Sequence, residues 1–255
     1  MIVKSEAIVL RTMKYRETSR IATLYTKEIG KISVIAKGAR DRRSRLGGSL
    51  QAMNHVGVLF YWKESRDLQL LTQCDSARPY PGLSNDLDRM AAAMAAVELT
   101  DAVSPPQEAN PALFELLSST LDGVSRATNQ PGNALYYFEL HLLRIIGFRP
   151  DMRICALCRK SVDPVPAGGG NLRLTQNGIV CAACSAKGLG LESLSPAALA
   201  VLQRLQETGD PAAATRMVLN SRVRGEIAGV LRRFLLSHVE GMRTLRSEAV
   251  FSTIL

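Results

Sequence analysis

The sequence predicts an α+β chain with an N-terminal five-stranded barrel, a helical domain, and a four-cysteine zinc module inserted between the helices. Three observations carry this reading. Five short runs rich in β-branched and aromatic residues crowd into residues 1–80. Apolar stripes at helical spacing begin after residue 84. Two Cys-x-x-Cys knuckles lie between the later stripes. Residues 1–80 are therefore assigned to the barrel and 81–150 to the first part of the helical domain. Residues 151–190 form the metal module, and 191–255 the second helical part with a C-terminal tail.

The strand runs are Ala7–Leu10, Ile21–Thr26, Ile32–Ala36, Val56–Trp62 and Leu68–Cys74. Alternation shows in Ile32/Val34/Ala36 and in Val56/Val58/Phe60/Trp62. Gly30-Lys31 separates the second run from the third, the polar stretch Gly38–Ser49 follows the third, and Glu64–Asp67 makes a short connection before the fifth. Five strands in about 75 residues fit a small closed barrel. The OB-fold is the commonest barrel of that strand count, and periodicity does not separate it from another small barrel.

Pro79-Tyr80-Pro81-Gly82 ends the β region. Ser84 or Asn85 caps the first helix, with Asp86 and Asp88 in its first turn and Leu87, Met90, Ala91, Met94 and Val97 as its stripe. Asn110-Pro111 opens a second helix with Leu113, Leu116, Leu117, Leu121 and Val124 inward. Asn133 begins a third, which Gly147 closes. Ser195-Pro196 starts another, a short piece follows Pro211, and a last helix is expected over about Arg222–Arg246.

The knuckles are Cys155-Ala-Leu-Cys158 and Cys181-Ala-Ala-Cys184, with 22 residues between them. Two such turns aim four sulfurs at one ion, which is the pattern of an all-cysteine zinc site. Protein would fill all four positions, so the ion is structural and no position is left to activate water. The module is poor in apolar residues, so metal binding is expected to stabilise it. The fifth cysteine, Cys74, sits in an apolar stretch and reads as a buried thiol. An odd cysteine count fits a reducing cytoplasm better than a disulfide scaffold. There is no signal-peptide pattern and no apolar stretch of 18 residues.

The net charge is +9, but it is unevenly spread. Residues 1–80 hold 15 Lys/Arg against 7 Asp/Glu, residues 81–150 hold 4 against 8, and residues 151–255 hold 13 against 8. A basic N-terminal third points to a polyanionic partner, nucleic acid before membrane. Its densest part runs from Lys31 through Lys37, Arg40, Arg42, Arg43 and Arg45, a strand leading into an arginine-rich loop. Lys14, Arg16 and Arg20 extend the track, and Tyr15, Tyr25, Phe60, Tyr61 and Trp62 are candidate stacking platforms. No Walker A loop, nucleophile elbow or His-Glu-x-x-His helix is present, and no enzyme or small-molecule substrate is expected.

Several segments, taken in order, resemble the bacterial DNA repair protein RecO family. They are Ala7–Leu10, Tyr15–Ile21, Leu24–Lys31, Ala36–Arg40, Ser44–Leu46, Leu50-Gln51, and Phe138–Leu143 with Gly147-Phe148-Arg149-Pro150 before the first knuckle. The resemblance implies an OB-fold, a helical domain and, with the four cysteines present, one zinc ion. It implies a recombination mediator without turnover, located in the cytoplasm with the nucleoid. Such a protein binds single- and double-stranded DNA, anneals complementary strands and helps place the RecA recombinase. RecR and the acidic C-terminal tail of single-stranded-DNA-binding protein are the implied partners. Lys37, Arg40, Arg42, Arg43 and Arg45 match the family's basic strand-and-loop region. A tail pocket on the helical domain is placed near Phe138 and Arg144. The competing reading is a zinc-ribbon and OB-type factor acting on RNA or transcription complexes.

Overall fold

The first strand, β1 (Ile2–Tyr15), is covered on both sides at its centre. Ala7 and Val9 point into the barrel, while Ile8 and Leu10 point out onto the helices. A strand buried on both faces has no polar alternate, so Ala7–Leu10 is continuously apolar. The computed structural model describes residues 1–41, 44–148, 150–162, 172–175, 178–185, 192–239, 245 and 247.

The other barrel strands are β2 (Ser19–Thr26), β3 (Gly30–Ala36), β4 (His55–Tyr61) and β5 (Leu68–Arg78). They close in the order β1-β2-β3-β5-β4, with β3 and β5 parallel and the other pairs antiparallel. Ala22, Leu24, Ile32, Val34, Ala36, Val58 and Phe60 fill the interior. The polar stretch after β3 contains an element that the sequence reading treated as a connection, the short helix α1 (Arg45–Ser49). Leu46 and Leu50 from this segment pack into the barrel core. Gly47 is required there, because a Cβ would stand 2.2 Å from the Ala39 carbonyl oxygen.

Three helices follow: α2 (Leu87–Val103), α3 (Pro111–Ser125) and α4 (Asn133–Ile145). Asp86, rather than Ser84 or Asn85, caps α2 by accepting the Arg89 amide hydrogen. The expected stripe of α2 also shifts. Leu87 is 63% exposed, and the buried surface is mainly Ala91, Ala92, Ala93, Ala95 and Ala96. Small side chains let neighbouring helices approach closely on several sides, so α2 shows no single apolar stripe. The Asn110 cap and the α3 core residues Leu113, Leu116, Leu117, Leu121 and Val124 are as the sequence reads.

The cysteine segment contributes β6 (Leu172–Thr175), β7 (Gly178–Val180), the one-turn helix α5 (Ala182–Ser185) and β8 (Glu192–Leu194). The sheet order is β7-β6-β8. Met152, Val162, Leu172, Ile179 and Leu194 belong to the same apolar cluster as the helices. The module thus leans on the helical core as well as on its cysteines. The chain ends in α6 (Pro196–Glu207), α7 (Pro211–Thr215) and α8 (Ser221–His238). Among the described residues α8 stops at His238, short of the expected Arg246, because Val239 is extended at φ −102°, ψ 106°.

The barrel seats on α2 and α3. Gly30 has φ +80°, and a Cβ there would stand 2.0 Å from the Glu108 carbonyl oxygen. This close approach lets the Gln107 amide donate to the Lys31 carbonyl at 2.9 Å. Tyr25 stacks on Phe114 with ring centroids 6.4 Å apart. Buried His55 has Nε2 3.0 Å from Glu6 Oε2 and Nδ1 3.1 Å from the Tyr80 hydroxyl.

Candidate functional site

The barrel end opposite this seat gathers the N-terminal cations. β1 passes to β2 through Arg16, Glu17 and Thr18, and β3 runs out into Lys37–Asp41. Arg20 pairs with Ala36 in register, which sets the two connections side by side. Arg16 holds a left-handed φ of 51°, so the turn reverses within three residues. The Arg40 amide donates to the Thr18 carbonyl at 2.9 Å. Arg40 Nη1 donates to the Arg16 carbonyl at 2.8 Å. These bonds fix the second connection against the first. Between them lies an open groove of about 510 Å3, bordered by Tyr15, Arg16, Ser19, Ile35 and Lys37, with Glu17 as the carboxylate in its lining. The Arg16 guanidinium lies 5.3 Å from the Tyr15 ring centroid, which braces the cation over the groove. Arg16 and Lys37 give this end of the barrel a positive charge, with Glu17 partly offsetting it.

The sequence-derived candidates separate here. Lys37 and Arg16 are exposed in the groove lining, and Arg40 is exposed on the adjoining connection, bonded to the Arg16 and Thr18 carbonyls. Arg20 is half-buried, with Nη1 3.5 Å from the carbonyls of Gly47 and Leu50. It holds the α1 segment to the barrel. Lys31 lies at the opposite end of β3, where Nζ donates to the Asp101 carbonyl at 2.6 Å. It also pairs with the Asp101 carboxylate at 3.3 Å. Lys31 is a seat contact, because β3 is long enough to put its first residues against the helices and its last at the groove. Arg42 and Arg43 fall outside the described residues, and Arg45 opens α1. Of the aromatic platforms, Tyr25 and Phe60 are buried in packing, Tyr61 is 49% exposed, and Tyr15 and Trp62 are half-buried. On the helical side Phe138 is fully buried in the core and offers no surface to a partner. Arg144 is exposed in the last turn of α4. Ile35 escaped the sequence reading as a groove residue, since only the strand register shows which face it takes.

The four cysteines form the second site. Cys155, Cys158, Cys181 and Cys184 place their sulfurs within 4.8 Å of one another. The first knuckle is the tip of a hairpin. The Cys155 amide donates to the Lys160 carbonyl at 2.8 Å, the Arg159 amide to the Cys155 carbonyl at 2.9 Å, and Arg159 takes φ +62°. The second knuckle opens α5, where the Ser185 amide donates to the Cys181 carbonyl at 2.9 Å. The Ala156 amide, bonded to the Ile179 carbonyl at 2.8 Å, ties the two together. Tetrahedral zinc with about 2.3 Å bonds requires sulfurs about 3.8 Å apart. Cys158 and Cys181 stand 3.7 Å apart, and four thiols complete the donor set of a closed metal site. Burial raises the Cys155 thiol pKa, but the backbone bonds around Cys158, Cys181 and Leu157, with the Cys158 thiol, outweigh it and bring it to about 6. By contrast, burial first and Asp75 second push Cys74 up to about 12, leaving that thiol unreactive.

Among the described residues no helix is long and apolar enough to cross a membrane. The model of the family "Recombination protein O N terminal" matches residues 1–80, and that of "Recombination protein O C terminal" matches residues 84–248. The chain is 33% identical over 259 residues to the DNA repair protein RecO of Salinibacter ruber, covering 99% of this chain and 94% of that protein. It is 32% identical over 250 residues to that of Symbiobacterium thermophilum, covering 98% and 96%. It is 36% identical over 206 residues to that of Geobacter metallireducens, covering 81% of each. With both halves matched in order and relatives aligned along nearly its whole length, the chain belongs to the recombination protein O family.

Proposed function

We propose that this chain acts in DNA repair and recombination as a non-catalytic mediator, binding single- and double-stranded DNA at the cationic end of its barrel. The observation that carries the reading is that Arg16 and Lys37 line one open groove, while Arg40, on the adjoining connection, bonds to the Arg16 and Thr18 carbonyls and so holds a third cation beside it. Phosphates neutralised there release counterions, so affinity falls steeply with salt. Charge neutralisation also lowers the repulsion between two strands, which is what annealing needs. Arg42, Arg43 and Arg45 continue the cationic track in sequence. Family membership supports the further steps: assistance in loading a recombinase, and association with RecR and the acidic tail of single-stranded-DNA-binding protein. Arg144, exposed at the end of α4, is one cation available to such a tail, and its apolar contacts must come from residues other than Phe138.

The metal module takes one zinc ion on Cys155, Cys158, Cys181 and Cys184 in this reading. The bound ion supplies cross-linking of the two knuckles and no chemistry on DNA, since four thiolates leave no open position. The residues around it orient the ligands through the amide bonds of Cys155, Ala156 and Arg159.

The test is a titration of fluorescent single-stranded DNA at two salt concentrations, with annealing to the complement followed in the same samples. Wild-type protein is expected to bind with strong salt dependence and to speed annealing. The Lys37→Glu/Arg40→Glu variant is expected to lose both. Unchanged affinity in that variant removes the groove assignment, and stronger binding of RNA without annealing of DNA favours an RNA-directed factor.

A further inference from the structure

Residues opposed across strands point to the same side of a sheet. The barrel's register can therefore be followed along its outer surface. From Met13 on β1 the directly opposed residues are Ile21 on β2, Ile35 on β3, Leu70 on β5, Tyr61 on β4 and finally Ile2, again on β1. Every one is apolar or aromatic. None lines the barrel; their strand neighbours Ala22, Val34, Leu71 and Phe60 do. Met13 is 55%, Tyr61 49% and Ile2 59% exposed, and the other three are half-buried. The row does not close on itself. It starts at residue 13 of β1 and returns at residue 2, as the stagger of a sheared barrel requires. Outer barrel positions that meet only water are ordinarily polar, so an unbroken apolar spiral over all the strands marks a contact surface.

Charge identifies the occupant. Lys4, Lys14, Lys37, Lys63 and Arg66 are all exposed along the strands and connections beside the row, against Glu17, Glu64 and Asp67 as exposed carboxylates in those connections, so the cations still prevail. Ile35 borders the same groove as Arg16 and Lys37. A second copy would bring its own excess of 15 Lys/Arg over 7 Asp/Glu in residues 1–80, which repels, whereas a polyanion is attracted. Spacing narrows the choice further. Neighbouring strands lie about 4.8 Å apart, so the row presents an apolar side chain about every 4.8 Å. Bases in a duplex strand rise about 3.4 Å each and hide their faces in the stack. Only an unpaired, stretched strand brings base faces to such a row.

Resting on the DNA-binding reading above, we propose that this spiral is a base track for an unpaired polynucleotide strand. Bases lie against Met13, Ile21, Ile35 and Tyr61, phosphates lie toward the flanking lysines, and base-pairing edges face outward for a complementary strand. The groove cations then serve single strands and duplexes alike, and the row serves single strands alone.

The experiment uses the full chain. Wild type, a Met13→Ser/Ile21→Ser/Tyr61→Ser variant and the Lys37→Glu/Arg40→Glu variant are titrated with a fluorescent oligo-dT strand and a duplex of equal length at one fixed salt concentration. The row variant is expected to lower the ratio of single-strand to duplex affinity about tenfold, while charge reversal weakens both. An unchanged ratio in the row variant, with charge reversal still effective, overturns the base track and leaves the DNA reading standing. Wild-type protein that binds neither probe overturns both. Sedimentation of the same samples covers the other occupant: a wild-type dimer that the row variant dissociates, at unchanged ratio, gives the row to a second copy and overturns the proposal. Circular dichroism checks folding, and Tyr61→Ser alone repeats the comparison if the triple variant is unfolded.

Discussion

The ammonium of Lys31 on β3 lies 2.6 Å from the carbonyl oxygen and 3.3 Å from the carboxylate of Asp101 on α2. Arg11 reaches the same carboxylate from β1 at 3.0 Å. One aspartate therefore holds two barrel strands to the helical domain. With the Lys31 side chain 19% and Asp101 26% exposed, the pair is partly shielded from water. Lys31→Ala should cost about 1–2 kcal/mol of stability in urea unfolding. DNA affinity should stay at the wild-type level, whereas Lys37→Glu should lower affinity with little change in stability. The reverse pattern would return Lys31 to the DNA track.

His55 makes the seat sensitive to acid. Burial lowers its pKa below the ordinary histidine value, against the opposing pull of Glu6. The unfolded chain therefore binds the proton more readily than the folded one. Stability is full above the unfolded value of about 6.5 and declines as pH falls from there toward the folded pKa. Melting temperatures measured from neutral pH downward should show this decline. His55→Gln should flatten it in that window, at constant excess zinc so that thiolate protonation is shared by both proteins. Parallel curves would take His55 out of the effect.

The cysteine cluster predicts a metal requirement confined to four of the five thiols. Purified protein should contain about one equivalent of zinc per chain. Cys155→Ser/Cys158→Ser should lose it and melt at lower temperature, because the module's knuckles are no longer joined. Cys74→Ala should keep its zinc. Wild-type protein whose melting is indifferent to a strong chelator and to added zinc would contradict a structural ion.

Gly30 and Gly38 separate close approach from backbone conformation. Both have positive φ, +80° and +69°, but a Cβ at Gly30 would meet the Glu108 carbonyl while nothing lies within 4 Å of one at Gly38. Gly30→Ala should cost about 3 kcal/mol, since strain and the clash act together. Gly38→Ala should cost about 1 kcal/mol, from conformation alone. Equal losses in chemical denaturation would mean that the contact at Glu108 relaxes freely.

Residues whose environment is set by near neighbours were legible in sequence. The Asn110-Pro111 and Ser195-Pro196 starts bond as capping chemistry demands. The knuckle spacing brought four sulfurs together. Ala7–Leu10 stood out because it is sandwiched, but the rest of β1 did not. Beyond that run, one face meets water and polar residues such as Arg11 and Lys14 dilute the pattern. Lys31 and Arg20 read as DNA contacts because charge says nothing of direction. Their partners, Asp101 and the Gly47 and Leu50 carbonyls, are distant in sequence. The Met13-to-Ile2 spiral was equally hidden, since it exists only once five strands are in register.

The two-sided burial of β1 also bears on how the chain is made. The barrel is complete in sequence at Arg78, so it can close while the helices are still being synthesised. Its pairings of β1 with β4 and of β3 with β5 span long loops, which makes that closure slow compared with helix formation. Throughout that interval Ile8, Leu10 and Tyr25 have no cover, because Phe114 and its neighbours on α3 have yet to emerge. A ribosome-bound barrel therefore carries a sticky flank that the finished protein lacks. Chaperone occupancy on the nascent chain should peak between the appearance of β5 and that of α3.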